Sequence, residues 1–495
     1  MSGEALEELK RKSRKITNIE EASEILHWDQ EVMMPEKGVV ARQQQLSVLS
    51  GLSHQILVSE ELGEVIEEIE SRSLDQEDKS TYREIKREHE RSSSVDQDLV
   101  ETISSQSSQT LDKWKKARKE GDFDIVKQDL EKLVELKRKY ANQINPEEEP
   151  YKVLFKDYEP YIEFENMQEV MEALRDELTD LFEEIKESDV RPKNRFEVEV
   201  SEDRQLELNK EILNDLGYDW GRGRLDTSEH PFTVGNQHDA RITTRFNEDD
   251  ISKSILPTIH EFGHALYELG LPKEHYGLPS GSSRDLSIHE SQSRLWENHV
   301  ARSKEFWNHF TPKLQQLEAF EDVEPEQLWE SINRVKEENL IRVEADEVSY
   351  HLHIYLRYSL ERKLINGEIE VEELPERWNN RMEELLGLRP ENDVEGVLQD
   401  IHWYQGSIGY FTTYSLGSIL SAQIYEAMEE EVEGLDEKIK KGDFEELKKW
   451  LKENIHSKGC LYETEDLLEL ATGEKLNPDY FLDYIEDKYG KIYNL

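Results

Sequence analysis

Apolar residues recur at three- and four-residue spacing along most of the chain, which is the period of an α-helix with one buried face. The period is clear from the start to about Tyr140, as at Leu130 and Leu133, and it returns over about 166–187. The Asn and Pro residues that follow Tyr140 break it, but they indicate a connection and not a domain boundary. The pattern therefore predicts an N-terminal helical part over about 1–190.

The pattern changes between residues 195 and 247. Residues 196–200 alternate apolar and acidic side chains, and Gly- and Thr-rich segments follow them. Because a period of two is typical of a half-buried strand, we predict a small β-sheet over about 195–247.

After Asp250 the helical period returns and continues almost to the C-terminus. It is interrupted by Gly-, Pro- and Ser-rich segments at 271–287 and 387–392. We therefore predict a second helical part over about 250–495, and no internal repeat divides the chain. The whole chain, 1–495, is expected to form one mostly α-helical domain.

Composition narrows the classes of partner. The 495 residues include 111 acidic and 62 basic side chains, for a formal net charge of −49. Such a charge repels nucleic-acid phosphates and anionic membrane surfaces, so neither is expected as a partner. The N-terminus lacks the apolar stretch of a secretory signal, and the lone Cys460 cannot form an intramolecular disulfide. We expect a cytoplasmic protein with a buried thiol.

One of the helical stretches contains the motif HExxH, from His260 to His264. On a helix the two histidines lie one turn apart on the same face, so both imidazoles can reach one metal ion. Glu261 then lies beside a water on that ion and can accept its proton. This arrangement is typical of metallopeptidases.

A third ligand is expected from His289-Glu290-Ser291-Gln292-Ser293-Arg294, which opens the next helical pattern after a flexible loop. Glu290 could be one solvated acid among many, but its Ser and Gln neighbours do not resemble an ordinary solvent-facing surface. Two histidines and one glutamate leave a fourth position open, as in catalytic zinc sites, whereas structural zinc sites are usually rich in cysteine.

Several motifs in order resemble those of the carboxypeptidase Taq family of metallocarboxypeptidases, and the resemblance runs nearly end to end. Besides HEFGH and HESQSR, they are HWDQ at 27–30 with Met34-Pro35, HPFT at 230–233, DxRxT at 239–243, IRxxAD at 341–346 and GxxQDxHW at 396–403. The resemblance implies a neurolysin-like helical fold with a deep central groove and the small sheet beside the metal site. It further implies a zinc or cobalt ion, a homodimer, and release of C-terminal amino acids from peptides with broad specificity.

A carboxypeptidase has to bind a free C-terminal carboxylate, and an inward-facing arginine is a natural bidentate partner for it. Arg342 is the first candidate, because its neighbours predict an apolar helical stretch. Arg241 is the reserve candidate, with Asp239 beside it in the DxRxT segment. The alternative for Arg342 is an ion pair with an acid of the chain itself.

Other polar residues are candidates for stabilising the negative charge that develops on the attacked carbonyl. His402 and Tyr414 are expected to supply hydrogen-bond donors there. Gln399 and Asp400 are expected to orient His402 or to bind substrate. Tyr410 is a further substrate-binding candidate, with a role in core packing as the alternative.

Two other functions fit the same motifs. An oligopeptidase or endopeptidase would use the same HExxH chemistry, because only the closure of the groove selects cleavage at the C-terminus. A peptide-binding protein without activity would keep the groove, but it would not need the base Glu261, and this argues against it.

Overall fold

The structure is a computed structural model that describes residues 3–70 and 72–495. Within these residues most of the chain is helical, as predicted. The α-helices are α1 (Glu4–Val32), α2 (Val39–Leu57), α3 (Glu60–Glu70), α4 (Gln76–Ser93), α5 (Gln97–Glu120), α6 (Asp124–Ile144), α7 (Pro150–Phe155), α8 (Phe164–Glu187), α9 (Glu202–Leu216), α10 (Ser252–Gly270), α11 (Leu286–Arg294), α12 (Lys304–Leu314), α13 (Pro325–Ile332), α14 (Ser349–Ile365), α15 (Leu374–Leu386), α16 (His402–Gln405), α17 (Phe411–Glu431), α18 (Leu435–Lys441), α19 (Glu445–Asn454), α20 (Thr464–Thr472) and α21 (Asp479–Tyr493). A π-helical segment, Leu295–Ala301, continues α11 directly.

The predicted sheet exists, but it is shorter than expected. Its strands are β1 (Gly223–Thr227), β2 (Thr233–Gly235) and β3 (Ala240–Thr244), in the order β1-β3-β2. The central strand β3 pairs in parallel with β1 and antiparallel with β2, where Thr233 lies opposite Ile242. Its inward residues are buried against α10, so the sheet forms one wall of the region that carries the HExxH motif.

The predicted strand over residues 196–200 is wrong. This segment is irregular, and α9 occupies much of the first half of the predicted β-region. Phe196 and Val200 are nevertheless buried, and the N–H of Val200 donates to the carbonyl of Glu248 at 2.9 Å. An extended segment that anchors alternate side chains in the core has the same period of two as a strand.

Two large hydrophobic clusters form the core, and α17 belongs to both. Leu416 and Ile419 lie in the cluster built around α8, α14 and α15, whereas Leu420 and Ile424 lie in the cluster built around α10, α12 and the sheet. A helix that is apolar on all sides is a buried one. The position of α17 between the two clusters is therefore fixed, and α11 lies directly against it.

Two expectations from composition can be compared with the described residues. None of the helices within them is both long and apolar enough to cross a membrane. Cys460 is buried, as expected, and burial raises the pKa of its thiol to about 12. The thiol is therefore protonated and unreactive at neutral pH.

Candidate metal centre and substrate-binding cluster

The helix α10 carries the HExxH motif because one of its faces is anchored to the sheet. Ile255, Ile259 and Phe262 are fully buried, and the Thr258 hydroxyl donates to Thr244 Oγ1 on β3 at 2.8 Å. The opposite face presents the imidazoles of His260 and His264, whose ring centroids lie 4.9 Å apart. As the one-turn spacing predicts, the two rings are neighbours.

Glu290 reaches the same point from α11. Its Oε2 lies 3.6 Å from His260 Nε2 and 3.4 Å from His264 Nε2. A side chain at Gly417 on α17 would clash with it, because a Cβ there would lie 2.5 Å from Glu290 Cγ. At Gly263, similarly, a Cβ would lie 2.6 Å from the carbonyl oxygen of Gln292. Two close helix contacts at glycines thus bring the carboxylate to the histidines.

The geometry and chemistry of these three side chains fit a divalent metal ion. One ligand atom from each lies within 4.8 Å of the others. Two donors that are each about 2.1 Å from one tetrahedral ion lie about 3.4 Å apart, close to the observed separations. Burial lowers the pKa of His264 to about 3, so its ring is neutral and able to offer a lone pair.

Charged neighbours keep Glu290 ionised. Burial alone would raise its pKa, but the positive charge of Arg294, together with the neighbouring imidazoles of His260 and His264, outweighs this and holds the pKa of Glu290 well below its usual range. Arg294 Nε donates to Glu290 Oε1 at 2.8 Å. The arginine therefore occupies one carboxylate oxygen and leaves the other facing the two histidines.

Glu261 is buried beside this cluster, with 6% of its surface exposed. The Thr233 hydroxyl on β2 donates to Glu261 Oε2 at 2.6 Å, which fixes the orientation of the carboxylate. Burial raises the pKa of Glu261. A carboxylate whose pKa is raised is a stronger base, which is the property that a proton acceptor needs.

Arg342 does not lie on a helix, so that expectation is wrong. It belongs to a single 3₁₀ turn, Arg342–Glu344, and it is buried. Its Nε and Nη2 donate to Asp400 Oδ1 at 3.0 and 2.7 Å. The structure therefore shows the ion pair within the chain that was the alternative for Arg342.

A second arginine shares the same carboxylate. Arg357 on α14 is fully buried and donates to Asp400 Oδ2 and, at 2.6 Å, to Gln399 Oε1. Gln399 Oε1 also accepts from the backbone N–H of Arg342 at 3.1 Å. Two guanidinium groups around one carboxylate leave this cluster with one unit of positive charge.

His402 and the two predicted tyrosines adjoin this arginine pair. His402 Nε2 lies 3.2 Å from the Tyr414 hydroxyl, and the Tyr410 and Tyr414 rings meet edge-on at 5.2 Å. The Arg342 guanidinium lies over the Tyr414 ring, 5.2 Å from its centroid. His402 Nδ1 is 3.9 Å from Asp400 Oδ1, which is too long for a hydrogen bond. Asp400 thus does not orient His402 through a hydrogen bond.

Tyr350 joins this cluster to the metal cluster. Its hydroxyl accepts from Arg294 Nη2 at 3.2 Å and from Arg342 Nη1 at 3.3 Å. Because Arg294 also holds Glu290, the predicted metal ligands and the predicted carboxylate-binding arginine are linked through two side-chain contacts.

The other predicted substrate residues lie apart from this arrangement. Arg241 on β3 donates to Asp239 through Nε at 3.0 Å and Nη2 at 2.7 Å, and its guanidinium lies 4.4 Å from the centre of the Trp28 ring. The described hydrogen bonds of this pair do not reach the metal cluster or the Asp400 cluster. Arg241 is therefore already occupied by a bidentate acid.

Sequence reasoning missed four residues of the site: Thr233, Arg294, Glu297 and Tyr350. Thr233 and Arg294 stand inside quoted motifs but were given no role. Glu297 follows Glu290 by seven residues, a helical spacing that places both on one face. That spacing was the available signal, and it was not used.

Two histidines one turn apart, a third acidic donor and a buried carboxylate meet in this helical protein. That combination defines the class of protein as a metallopeptidase. A family model described as Carboxypeptidase Taq (M32) metallopeptidase matches residues 8–489. The chain is therefore a member of the carboxypeptidase Taq family, and it is a metallocarboxypeptidase. The predictions of family, fold and enzyme class are confirmed.

The sequences of individual relatives align with this chain over nearly its full length. The chain is 37% identical to a thermostable carboxypeptidase 1 from Pyrococcus furiosus over 492 residues, or 98% of both chains. It is also 37% identical to a thermostable carboxypeptidase 1 from Thermus thermophilus, over 94% of both. The crystal structure of an M32 carboxypeptidase from Deinococcus radiodurans R1 superposes with a TM-score of 0.95 at 33% identity, covering 99% of this chain and all of that one.

Proposed function

We propose that this carboxypeptidase releases C-terminal amino acids with broad specificity, and that it uses a zinc ion held by His260, His264 and Glu290. The observation that carries the proposal is the convergence of their ligand atoms within 4.8 Å of one another, beside the buried Glu261. Zinc is preferred, with cobalt as a possible substitute, because two imidazoles and one carboxylate are a common catalytic zinc set. The ion supplies positive charge that acidifies water and polarises the peptide carbonyl.

Glu261 is the proposed general base. Its carboxylate takes a proton from the attacking water and passes it to the nitrogen of the departing amino acid. The Thr233 hydroxyl, at 2.6 Å, holds the carboxylate in one orientation during both transfers. The raised pKa of Glu261, which follows from its burial, supports this role.

Arg342 is proposed to bind the C-terminal carboxylate of the peptide. The excess positive charge that Arg342 and Arg357 leave around Asp400 supports the proposal, since it attracts an anion that one acid does not neutralise. Within the described part of the chain, Arg342 Nη1 donates to the Tyr350 hydroxyl alone, at 3.3 Å, and it can exchange this weak contact for a carboxylate oxygen. The occupied Arg241 and its partner Asp239 are less suited to this task.

His402 and Tyr414 are proposed to stabilise negative charge on the attacked carbonyl oxygen. Burial lowers the pKa of His402 to about 4, so the ring is neutral at pH 7 and one of its nitrogens carries a hydrogen. In their contact at 3.2 Å one of the two groups donates to the other, so the pair keeps one free hydrogen to donate to the carbonyl oxygen, and both can donate to it when they give up their mutual contact. Tyr410, beside Tyr414, is proposed to contact the substrate, while Gln399 supports Arg342 and Arg357.

Metal analysis and a matched pair of substrates test the proposal together. We expect one zinc per chain and rapid hydrolysis of an N-terminally blocked dipeptide with a free C-terminus. The same dipeptide with an amidated C-terminus should be cleaved far more slowly, because it lacks the carboxylate. Equal cleavage of both would indicate an endopeptidase-like site and would contradict the assignment of Arg342.

A homodimer is proposed through the outer face of α2. This helix contains no acidic residue in a chain of net charge −49. It exposes Val40, Val48 and Leu52 at 64%, 62% and 45%. Two strongly anionic copies repel each other, so an apolar face without acids is a favourable place for them to meet. Light scattering should give the mass of two chains for the native protein and of one chain for Val48→Glu.

Two further expectations are retained as proposals. The single domain over 1–495 is supported by α17, which belongs to both large hydrophobic clusters. The cytoplasmic location rests on the sequence reasoning given above. Fractionation of the cells that produce the protein tests the location directly.

A further inference from the structure

The imidazole of His260 has a carboxylate at each of its two nitrogens. Nε2 lies 3.6 Å from Glu290 Oε2, and Nδ1 lies 2.9 Å from Glu297 Oε2. Both carboxylates belong to one continuous helix, because Glu290 lies on α11 and Glu297 on the π-helical segment that follows. Two helical turns thus supply a partner on each side of one ring.

Glu297 is mostly buried and hydrogen-bonded to two arginines. Its side chain is only 12% exposed, Arg294 Nη1 donates to its Oε2 at 3.2 Å, and Arg302 Nη2 donates to its Oε1 at 3.3 Å. Both oxygens of this carboxylate accept hydrogen bonds from guanidinium groups, so the carboxylate serves as the acceptor toward the His260 ring as well. The hydrogen between Glu297 and His260 must therefore be on Nδ1.

A hydrogen on Nδ1 leaves the lone pair of His260 on Nε2, the nitrogen that faces Glu290 and His264. We propose that Glu297 is a positioning residue that fixes the tautomer and ring orientation of His260 for metal binding. The inference rests on the proposed ligand set, and it extends that set by one residue that does not touch the ion. Carboxylates in this position commonly strengthen the ligand and improve metal retention.

The second histidine lacks such support. His264 Nδ1 is buried and has no hydrogen-bond partner among residues 3–70 and 72–495, and its ring stacks on His289, with centroids 4.5 Å apart. The metal site is therefore asymmetric, because one imidazole is anchored by a charged hydrogen bond and the other by packing. Loss of Glu297 should weaken the better-anchored ligand.

Arg294 links the two carboxylates and makes the arrangement cooperative. It lies four residues after Glu290 and three before Glu297, and it donates to both of them. The ligand and the positioning residue thus share one cation, which separates their negative charges. A change at Glu297 is expected to reach Glu290 through this arginine as well.

The test compares Glu297→Gln and Glu297→Ala with a matched control, Glu347→Gln. Glu347 is also buried and paired with a cation, Lys488 at 2.7 Å, and its described hydrogen bonds do not involve His260. Each variant is loaded with cobalt for visible absorption spectra and with zinc for release into a colorimetric chelator. We expect Glu297→Ala to release zinc about 10- to 100-fold faster than the wild type, with a changed cobalt spectrum, and Glu297→Gln to be intermediate.

The control variant should match the wild type in both measurements. The inference is overturned if both Glu297 variants release zinc within twofold of the wild-type rate and keep its cobalt spectrum. If Glu297→Ala does not fold, the spectrum and release rate of Glu297→Gln decide the question. His260→Ala separates this inference from the ligand assignment. If His260→Ala retains zinc normally, the ligand set itself is wrong. If His260→Ala loses zinc while both Glu297 variants retain it, only the role of Glu297 is overturned.

Discussion

Two neighbouring clusters of buried charge meet at the Tyr350 hydroxyl, and their charges are out of balance in opposite directions. Around the proposed metal site, three carboxylates face only two guanidinium groups, and the acids are Glu261, Glu290 and Glu297. Around Asp400, two guanidinium groups face one carboxylate. Because unpaired buried charge is costly, a ligand of the missing sign would stabilise each cluster.

The opposite charge imbalances match the two proposed ligands, the metal ion and the C-terminal carboxylate of the peptide. The proposed divalent cation would compensate the acidic cluster, and the proposed peptide carboxylate would compensate the arginine cluster. Their linkage through Arg294, Tyr350 and Arg342 places the two ligand sites at a fixed separation. A fixed distance between the metal and the C-terminal carboxylate selects the last peptide bond, which is what exopeptidase action requires.

The largest expected effect comes from neutralising the base in the acidic cluster. Glu261→Gln keeps the shape of the side chain but cannot accept a proton at neutral pH, so turnover should fall about 10²- to 10⁴-fold. The metal should remain bound, because Glu261 is not a proposed ligand. Peptide hydrolysis assays on the metal-loaded protein measure the loss of turnover, and metal analysis measures whether the ion is retained. A variant that retains zinc and near wild-type turnover would contradict the assignment.

The next effect tests the arginine cluster. Arg342→Ala should lose about 2–5 kcal/mol of transition-state stabilisation on peptides with a free C-terminus and much less on amidated ones. Asp400 keeps Arg357 as a partner, so the variant should still fold. Arg342→Lys should rescue poorly, because an ammonium group cannot form the same planar pair of hydrogen bonds.

Arg241→Ala is the control for that experiment. Its side chain pairs with Asp239 and stacks on Trp28, away from the Asp400 cluster, so it should not change the ratio between the two substrates. If Arg342→Ala lowers the rates on free and amidated peptides by the same factor, Arg342 has a structural role. A selective loss in Arg241→Ala would then move carboxylate binding to Arg241.

The two clusters also differ in how far the sequence predicts them. His260 and His264 are one helical turn apart, so a local pattern is sufficient to place them together. Arg342 and Asp400 are 58 residues apart, and the 3₁₀ turn at Arg342 was mistaken for helix because its apolar neighbours pack in an irregular segment.

Other misses share this cause. Glu297 contacts His260 across 37 residues, and Thr233 contacts Glu261 across 28. Such contacts depend on which helices and strands become neighbours, and periodicity does not encode that. The alternation at 196–200 led to a wrongly predicted strand for a related reason. Alternate side chains can be buried without a partner strand.

A smaller effect should follow from filling the space that admits Glu290. Gly417→Ala places a methyl group where it overlaps the Glu290 side chain, and such overpacking costs about 1–3 kcal/mol. Because Glu290 has to move away from the histidines, zinc release should be faster and thermal stability lower. Gly490→Ala on α21 is the control, since no described atom lies within 4 Å of its added methyl group, and it should be slightly stabilising. Unchanged zinc release in Gly417→Ala would show that α17 does not position Glu290.

The last effect concerns a buried acid that is not paired with a cation, and it sharpens the contrast with Asp400. Glu361 lies one helical turn after Arg357, but its carboxyl accepts hydrogen bonds from the neutral donors Tyr151, at 2.6 Å, and Trp403, at 3.0 Å. Burial raises its pKa to about 8, so it is protonated in the folded protein at neutral pH. The arginine charges instead hold the pKa of Asp400 well below its usual range, although Asp400 too is buried.

The sign of the resulting pH dependence follows from proton linkage. Between the ordinary pKa of 4.5 and about 8, the folded state keeps a proton at Glu361 that the unfolded state has lost, so this residue lowers stability as pH rises. The slope is about 1.4 kcal/mol per pH unit, and it vanishes above the folded pKa. Glu361→Gln mimics the protonated acid without titrating. In urea unfolding at pH 5.5 and 7.5, the variant should therefore gain stability relative to the wild type as pH rises. A constant difference between the two proteins would mean that Glu361 is ionised in the fold, and that the cation partners of Asp400 do not explain why the two acids differ.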